Sequence, residues 1–127
     1  MIVLDTHALV WWRLAPEKLG RKARRACEKS AVVGASAISF WEIGVLDARG
    51  RLKLRVPLSE WTRETLEGPR MEGLFVMPEI AVLVAGLIMH GDPADRFIVA
   101  TALHLGCKLV TRDDAIVRSN VVETVWD

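Results

Sequence analysis

The chain has 127 residues, enough for one domain with a single hydrophobic core and too few for several. Its net charge of +1 does not by itself indicate nucleic-acid binding, and a hydrophobic share of 51% suggests that some apolar surface meets a partner. Two isolated cysteines favour free thiols over a disulfide framework or a zinc site. Because no signal peptide or membrane-spanning run is recognisable, we expect a soluble cytoplasmic protein.

Short apolar runs alternate with segments of helical periodicity along the chain. In order, the first half predicts a strand over 2–4, a helix over 8–14 capped by Thr6, a helix over 19–30, a strand over 31–35, a helix from Ser39 to about Ala48 and a helix over 57–66. The second half predicts a strand over 74–77, an apolar and therefore buried helix over 79–89, a helix capped by Asp92 and ending at Gly106, and strands over 108–111 and 121–125. This alternation is typical of a parallel sheet covered by helices on both faces.

Four acidic residues occupy positions at which such a fold gathers side chains. Asp5 and Asp113 each follow a predicted strand, and Glu42 and Asp95 each lie in the first turn of a predicted helix. Strand ends and helix starts meet at one edge of a parallel sheet. Four carboxylates collected there repel one another unless a hard cation lies between them. The pattern therefore predicts a Mg²⁺ or Mn²⁺ site and metal-assisted attack on a phosphodiester.

Each acid also has an ordinary structural interpretation. Asp5 can cap the helix that follows it, and Glu42 can complete an S-x-x-E capping box with Ser39. Asp95 suits the positive end of a helix dipole, and we assign Asp92 mainly to capping. All four being caps at one edge of one sheet is the less plausible interpretation, because the apolar neighbours of Glu42 leave its charge in need of a partner.

The remaining candidate site residues have weaker support. Asp114 directly follows Asp113, and we favour Asp113 because it extends the strand end. Arg96 can pair with an acid of the cluster or bind phosphate, and His90 can contact substrate, although a histidine in the core or on the surface is commoner. Three hydroxyls can support a carboxylate or a metal-bound water, or can simply act as caps or strand-edge hydroxyls: Thr6, Ser39 and Thr111.

Two further patterns concern the protein surface. The stretch 13–29 is rich in lysine and arginine, which is commonly a solvated helix face and alternatively a patch that contacts an RNA or DNA backbone. Trp11 and Trp12 are adjacent, and neighbouring positions on a helix point roughly 100° apart. We therefore expect one of the two rings to be partly exposed and able to cover a partner surface.

Four stretches carry a specific combination of these residues: V-L-D-T-H at 3–7, S-F-W-E-I at 39–43, D-P-A-D-R-F-I-V-A-T-A at 92–102 and L-V-T-R-D at 109–113. Together they resemble the PIN-domain pattern and, more narrowly, the VapC toxins of bacterial and archaeal toxin–antitoxin pairs. The D-P-x-D-R stretch after an apolar helix is the most specific part. The resemblance covers nearly the whole chain, including Val125 and Trp126.

This resemblance implies one α/β domain over residues 1–127, with a five-stranded parallel sheet in the order 3-2-1-4-5 and helices on both faces. It implies a Mg²⁺- or Mn²⁺-dependent endoribonuclease, usually a homodimer, whose acidic pocket is wrapped and blocked by a VapB-like antitoxin. By position, the metal-site acids are Asp5, Glu42, Asp95 and Asp113. The same positions give Thr6 or Thr111 an assisting role.

Two other classes of function fit the sequence less well. A metal-dependent phosphatase of the haloacid-dehalogenase type would use Asp5 as a covalent nucleophile, but it requires a second aspartate where this chain has His7. A non-catalytic module, such as a receiver domain or an inactive PIN scaffold, would share the fold and the acids. A receiver domain would also carry a lysine after the last strand, and none follows Val121.

Overall fold

The computed structural model describes residues 1–89 and 91–127. The strands are β1 (Ile2–Leu4), β2 (Val33–Ser36), β3 (Met71–Leu74), β4 (Lys108–Val110) and β5 (Thr124–Val125). The helices are α1 (Thr6–Leu14), α2 (Arg21–Lys29), α3 (Ala37–Ala48), α4 (Leu58–Glu67), α5 (Pro78–Gly86), α6 (Pro93–Leu105) and α7 (Asp114–Ser119), with a 3-10 turn at Pro16–Lys18. The strands form one parallel sheet in the order β3-β2-β1-β4-β5, which confirms the predicted architecture.

The central strand β1 explains why helices cover both faces of the sheet. All three of its residues are buried, and successive side chains of a strand point to opposite faces. Ile2 and Leu4 pack into a core formed with α1, α2, α3 and α4, whereas Val3 packs into a second core with α6 and α7. A strand buried on both faces therefore reads as a continuous apolar run. This confirms the two-sided arrangement expected from the sequence.

Several predicted boundaries at the edges of the sheet are wrong. Strand β3 occupies Met71–Leu74 rather than 74–77, and only its last residue is buried, so this edge strand has no apolar run to mark it. Strand β5 is limited to Thr124–Val125. The helix at Asp114–Ser119 was not predicted, because six residues are too few to display a helical period.

Helix starts differ from the predicted ones because other residues supply the caps. Ser36 caps α3, its hydroxyl accepting a hydrogen bond from the backbone N–H of Ile38 at 3.1 Å. The helix therefore begins before Ser39, which lies buried inside it, and Glu42 is in the second turn instead of completing a capping box. Helix α1 is capped by Asp5, not by Thr6.

Helix α5 is largely exposed, which contradicts the prediction of a buried helix over 79–89. It packs against α6, but only Ile80 on it is buried. Large apolar side chains in and around this helix are open to solvent, with Phe75 82%, Val82 73% and Ile88 92% exposed. A uniformly apolar segment is expected either inside a core or at a surface that meets a partner, and this segment does not lie inside the core. No helix among the described residues has the length and apolar character needed to cross a bilayer.

Gly20 at the start of α2 packs tightly against the C-terminal segment. A Cβ at this position would lie 2.3 Å from the carbonyl oxygen of Trp126, the atom that accepts a hydrogen bond from the N–H of Ala23 at 2.8 Å. We expect Gly20→Ala to lower the free energy of unfolding by about 1–3 kcal/mol in urea titrations, because the backbone must move to admit the methyl group. Gly86→Ala is the matched control, since a Cβ there meets nothing within 4 Å. Equal stability of the Gly20→Ala variant and the wild type would contradict this packing.

Candidate active site

Asp5 lies at the carboxyl end of β1 and is only 6% exposed. Its Oδ1 accepts a hydrogen bond from the N–H of Ala8 at 2.8 Å, and its Oδ2 accepts one from the hydroxyl of Thr111. Burial raises the pKa of Asp5 above its ordinary value, while the hydrogen bonds from Thr111 and Ala8 oppose that increase. The carboxylate is therefore fixed in position by two donors from different elements.

Glu42 is held from the side by the buried hydroxyl of Thr6, which also contacts that of Ser39. The hydroxyl of Thr6 donates to Oε1 of Glu42, and it is also hydrogen-bonded to Ser39, with 3.2 Å between the two oxygens. These contacts join the first turn of α1 to α3 and leave Glu42 half-buried. The apolar surroundings expected for Glu42 are only partly present, because Trp41 is 61% exposed.

Asp92 and Asp95 bring a further concentration of negative charge to Glu42. Carboxylate oxygens of these three residues lie within 4.8 Å of one another. Burial, and after it the negative charges of Asp92, Asp113, Glu42 and Asp5, together raise the pKa of Asp95 to about 7. Asp92 also caps α6, its Oδ1 accepting from the N–H of Asp95 at 3.0 Å. Sequence reasoning identified the cap but missed its place in the cluster, which the three-residue spacing between Asp92 and Asp95 could have indicated.

Asp113 rather than Asp114 faces the site. The Oδ1 of Asp113 accepts from the N–H of Ile116 at 3.0 Å and so caps α7, while its own N–H donates to the hydroxyl of Thr111 at 3.0 Å. Asp114 points away, and its carboxylate lies 3.7 Å from Arg118 in an exposed ion pair. Thr111 thus links Asp113 to the buried Asp5.

A cleft of about 420 Å³ opens above Asp5 and Asp113. It is lined by Asp5, His7, Trp11, Arg112, Asp113 and Trp126. The structure therefore arranges the acids in two groups: the tight trio Glu42, Asp92 and Asp95, and the pair Asp5 and Asp113 in the adjoining cleft. The sequence analysis did not assign His7, Trp11, Arg112 and Trp126 to this cleft. Arg112 lies between the candidate residues Thr111 and Asp113, and this position is the signal that could have identified it.

Arg96 does not pair with the acidic cluster, so the predicted ion pair is wrong. Its Nη2 donates to the carbonyl oxygens of Val84 at 3.0 Å and Leu87 at 3.3 Å. The unpaired carbonyls at the end of a helix attract a cation, and Arg96 satisfies those of α5 from its position on α6. The candidate His90 lies outside the described residues.

Among the described residues, no ion pair neutralises the acids of the site. The ion pairs of residues 1–89 and 91–127 involve other acids, namely Glu64, Glu28, Glu67, Glu123 and Asp114. Carboxylate oxygens are the ligands that hard divalent cations prefer in proteins. The donor set and its uncompensated charge therefore fit a divalent cation at this edge of the sheet.

Comparison with known proteins supports the same interpretation. The family profile described as PIN domain matches residues 2–120. Ribonuclease VapC22 of Mycobacterium tuberculosis is 35% identical to this chain over 114 residues, which cover 88% of this chain and 86% of the relative. The fold is similar to that of DNA-bound VapBC from Salmonella typhimurium, with a TM-score of 0.72, 16% identity and 98% of both chains covered.

It is also similar to VapBC2 from Rickettsia felis bound to a promoter DNA fragment, with a TM-score of 0.71, 18% identity and both chains covered in full. These two structures support the fold, since their identity to this chain is low. The family itself follows from the profile match over most of the sequence together with the relative at 35% identity. On these grounds the chain belongs to the PIN-domain family.

Proposed function

We propose that this protein is a metal-dependent endoribonuclease and the toxin of a VapBC-type toxin–antitoxin pair. One observation carries the proposal: five acids that form no ion pair among the described residues gather at the carboxyl edge of a parallel sheet, where Asp5 and Asp113 line a solvent-open cleft and the other three form a cluster beside it. Membership of the PIN family and similarity to a protein named as a ribonuclease support it. The reducing cytoplasm, where RNA is abundant, suits a chain with two unpaired cysteines.

The acids of the site would hold Mg²⁺ or Mn²⁺. Such a cation supplies positive charge that stabilises the phosphate oxygens in the transition state, and it makes a nearby water molecule more acidic. Asp5 and Asp95 would be its principal ligands, and Asp113 would complete the set. Glu42 would bind it directly or through water and would help to deprotonate the attacking water.

The surrounding residues fix the positions of the reacting groups. Thr111 and Ala8 orient Asp5, and Thr6 holds one oxygen of Glu42, so its second oxygen remains free to take a proton from water. In the hydrolysis, water adds to phosphorus and gives its proton to Glu42, the bond from phosphorus to the leaving sugar oxygen breaks, and that oxygen takes a proton from solvent to become a hydroxyl. When hydrogen bonds that orient metal-binding side chains are removed, metal affinity or enzyme activity falls by about 10-fold to 100-fold.

RNA must be attracted by groups other than these acids. Helix α2 begins next to Trp126 in the cleft, because the N–H of Ala23 donates a hydrogen bond to the carbonyl oxygen of Trp126. Five basic side chains of this helix are exposed to solvent: Arg21, Lys22, Arg24, Arg25 and Lys29. Such side chains neutralise phosphates without reading sequence. The buried Asp5 at the bottom of the cleft reaches a phosphate more easily in a single strand or a loop than in a duplex, so we assign the protein an unpaired RNA substrate.

Asp5→Asn should abolish most of the nuclease activity. The asparagine retains the size of the side chain but removes one charge from the proposed ligand set, so we expect RNA cleavage in Mn²⁺ to fall about a hundredfold or more. Cleavage of a labelled RNA is followed with and without a chelator, which should stop the wild-type reaction. Asp114→Asn is the matched control and should cleave like the wild type, because Asp114 points away from the cleft.

The same assay separates the alternatives. Full activity in the Asp5→Asn variant would contradict the proposed site. Hydrolysis of small phosphomonoesters without cleavage of RNA would indicate a phosphatase, and partner binding without either activity would indicate a scaffold.

Divalent cations should stabilise the protein by relieving repulsion among Glu42, Asp92 and Asp95. A cation at about a hundredfold excess over its Kd adds about 2.7 kcal/mol to the free energy of unfolding, measurable as a rise in Tm. In EDTA, Asp95→Asn should be at least as stable as the wild type, because it removes one of the crowded charges, and its gain on adding Mg²⁺ should be smaller. Sodium chloride at equal ionic strength is the control. A wild type that Mg²⁺ and Mn²⁺ leave unchanged would count against the metal site.

Two protein partners complete the proposal. We propose that a VapB-like antitoxin covers the acidic cleft, because solved structures with a similar fold are complexes of VapBC pairs. We also propose a homodimer formed through the exposed apolar segment around α5, which contains Phe75, Val82 and Ile88. Leaving such side chains in water is unfavourable by roughly 25 cal/mol per Å² of apolar area, which favours their burial between two chains.

Charged substitutions in this segment should weaken self-association without unfolding the chain. Phe75→Glu and Ile88→Glu change side chains that are 82% and 92% exposed, so the monomer core is untouched. We expect the mass measured by light scattering to shift from dimer towards monomer in the double variant. Val117→Glu, at an exposed position on α7, is the control and should not change the mass. A wild type that remains monomeric at all concentrations would overturn this part of the proposal.

A further inference from the structure

One wall of the cleft is formed by aromatic and cationic side chains. We call this wall the ledge and define it by His7, Trp11, Arg112 and Trp126. The guanidinium carbon of Arg112 lies 4.6 Å from the ring centroid of Trp11 and 5.9 Å from that of Trp126. The two indole centroids are 5.7 Å apart, and His7 lies 6.1 Å from Trp11. The ledge faces the same space as Asp5 and Asp113.

Arg112 has no polar partner within the part of the chain that the structure describes. It takes part in none of the side-chain hydrogen bonds or ion pairs there, and it is exposed. Arg13 shows the contrast: it also stacks on an indole, that of Trp61 at 5.3 Å, but its Nε donates to Thr65 at 2.8 Å. Arg13 thus has a hydrogen-bond partner within the fold. The N–H groups of Arg112, in contrast, remain available to a ligand.

We propose that the ledge binds one unpaired nucleotide next to the scissile phosphate, an inference that rests on the proposed ribonuclease function. Arg112 is the central group, because a guanidinium offers a planar face and a hydrogen-bonding edge at the same time. Its face, supported from behind by Trp11, stacks on the base, and its edge donates to a phosphate oxygen. Trp126 and His7 flank the base.

The position of Arg112 in the chain determines where this nucleotide lies. Arg112 directly precedes Asp113, and both line the cleft that contains Asp5. When the scissile phosphate of a bound RNA lies at the acids, the neighbouring nucleotide therefore lies against the ledge. Because a base inside a duplex has both faces covered, this arrangement selects unpaired RNA.

The test compares binding of two single-stranded eight-nucleotide probes, one with bases and one made of abasic ribose phosphates. Fluorescence anisotropy is measured in EDTA with the full chain, so that binding is read without cleavage. We expect the wild type to bind the probe with bases about tenfold more tightly than the abasic probe. Arg112→Lys retains the charge but loses the planar face, so it should reduce this preference to about twofold or less while binding the abasic probe almost normally.

Further variants distinguish stacking from simple charge. Arg112→Ala should lose the preference and also bind the abasic probe several-fold more weakly, with a salt dependence reduced by about one phosphate contact. Arg118→Ala removes an exposed arginine outside the cleft and should leave the preference intact. Arg112 is exposed and its contacts within the fold are with the two indoles, so its variants should stay folded, with a Tm within a few degrees of the wild type.

The outcomes separate this inference from the proposed function. An unchanged base preference in Arg112→Lys, or no preference in the wild type, would overturn the ledge even if metal-dependent cleavage is found. If Arg112→Lys weakened the binding of both probes equally, Arg112 would be a phosphate contact only, and the proposed base stacking on the ledge would also be overturned. Base-selective binding that depends on Arg112, with no cleavage in any metal, would support the ledge and overturn the nuclease.

Discussion

The fold forces negative charge together at one edge of its sheet, and the rest of the site follows from that constraint. Strands β1 and β4 are paired neighbours, with Leu4 beside Val110, so the acids that follow them emerge side by side. Helices α3 and α6 pack against each other and bring the trio Glu42, Asp92 and Asp95 to the same edge. Two negative charges about 5 Å apart repel by roughly 3 kcal/mol at an effective dielectric constant of about 20. That is a substantial fraction of the roughly 5–15 kcal/mol by which a domain is stable.

The chain tolerates this charge because the same carboxylates serve as helix caps. Asp5, Asp92 and Asp113 cap α1, α6 and α7, and each accepts a hydrogen bond from a backbone N–H. Helix N-termini favour negative charge, so the caps partly offset the repulsion. A carboxylate has two oxygens, and in Asp5 one binds the helix while the other binds Thr111. Capping and a role in the site are therefore compatible interpretations of the same residue.

The sequence predicted the parts of the molecule that depend on local pattern. The central strands are continuous apolar runs, and acids at their ends identified the site edge, so the sheet order and the placement of Asp5 and Asp113 agreed with the resemblance. Edge strand β3 and the short helix α7 carry too little pattern to be recognised. Uniform apolarity in α5 could not reveal exposure, because a buried helix and an interface helix have the same composition.

The two walls of the cleft have different structural origins. The acidic wall is built from caps: Asp5 and Asp113 each accept a backbone N–H three residues along the chain, and Thr111 joins the two. The ledge depends on tertiary contacts, because two backbone hydrogen bonds of the final segment hold Trp126 in place. The N–H of Ala23 in α2 donates to the carbonyl oxygen of Trp126 at 2.8 Å, and the N–H of Thr111 after β4 donates to that of Val125 at 3.3 Å. Sequence pattern alone therefore identifies the acids and misses the ledge.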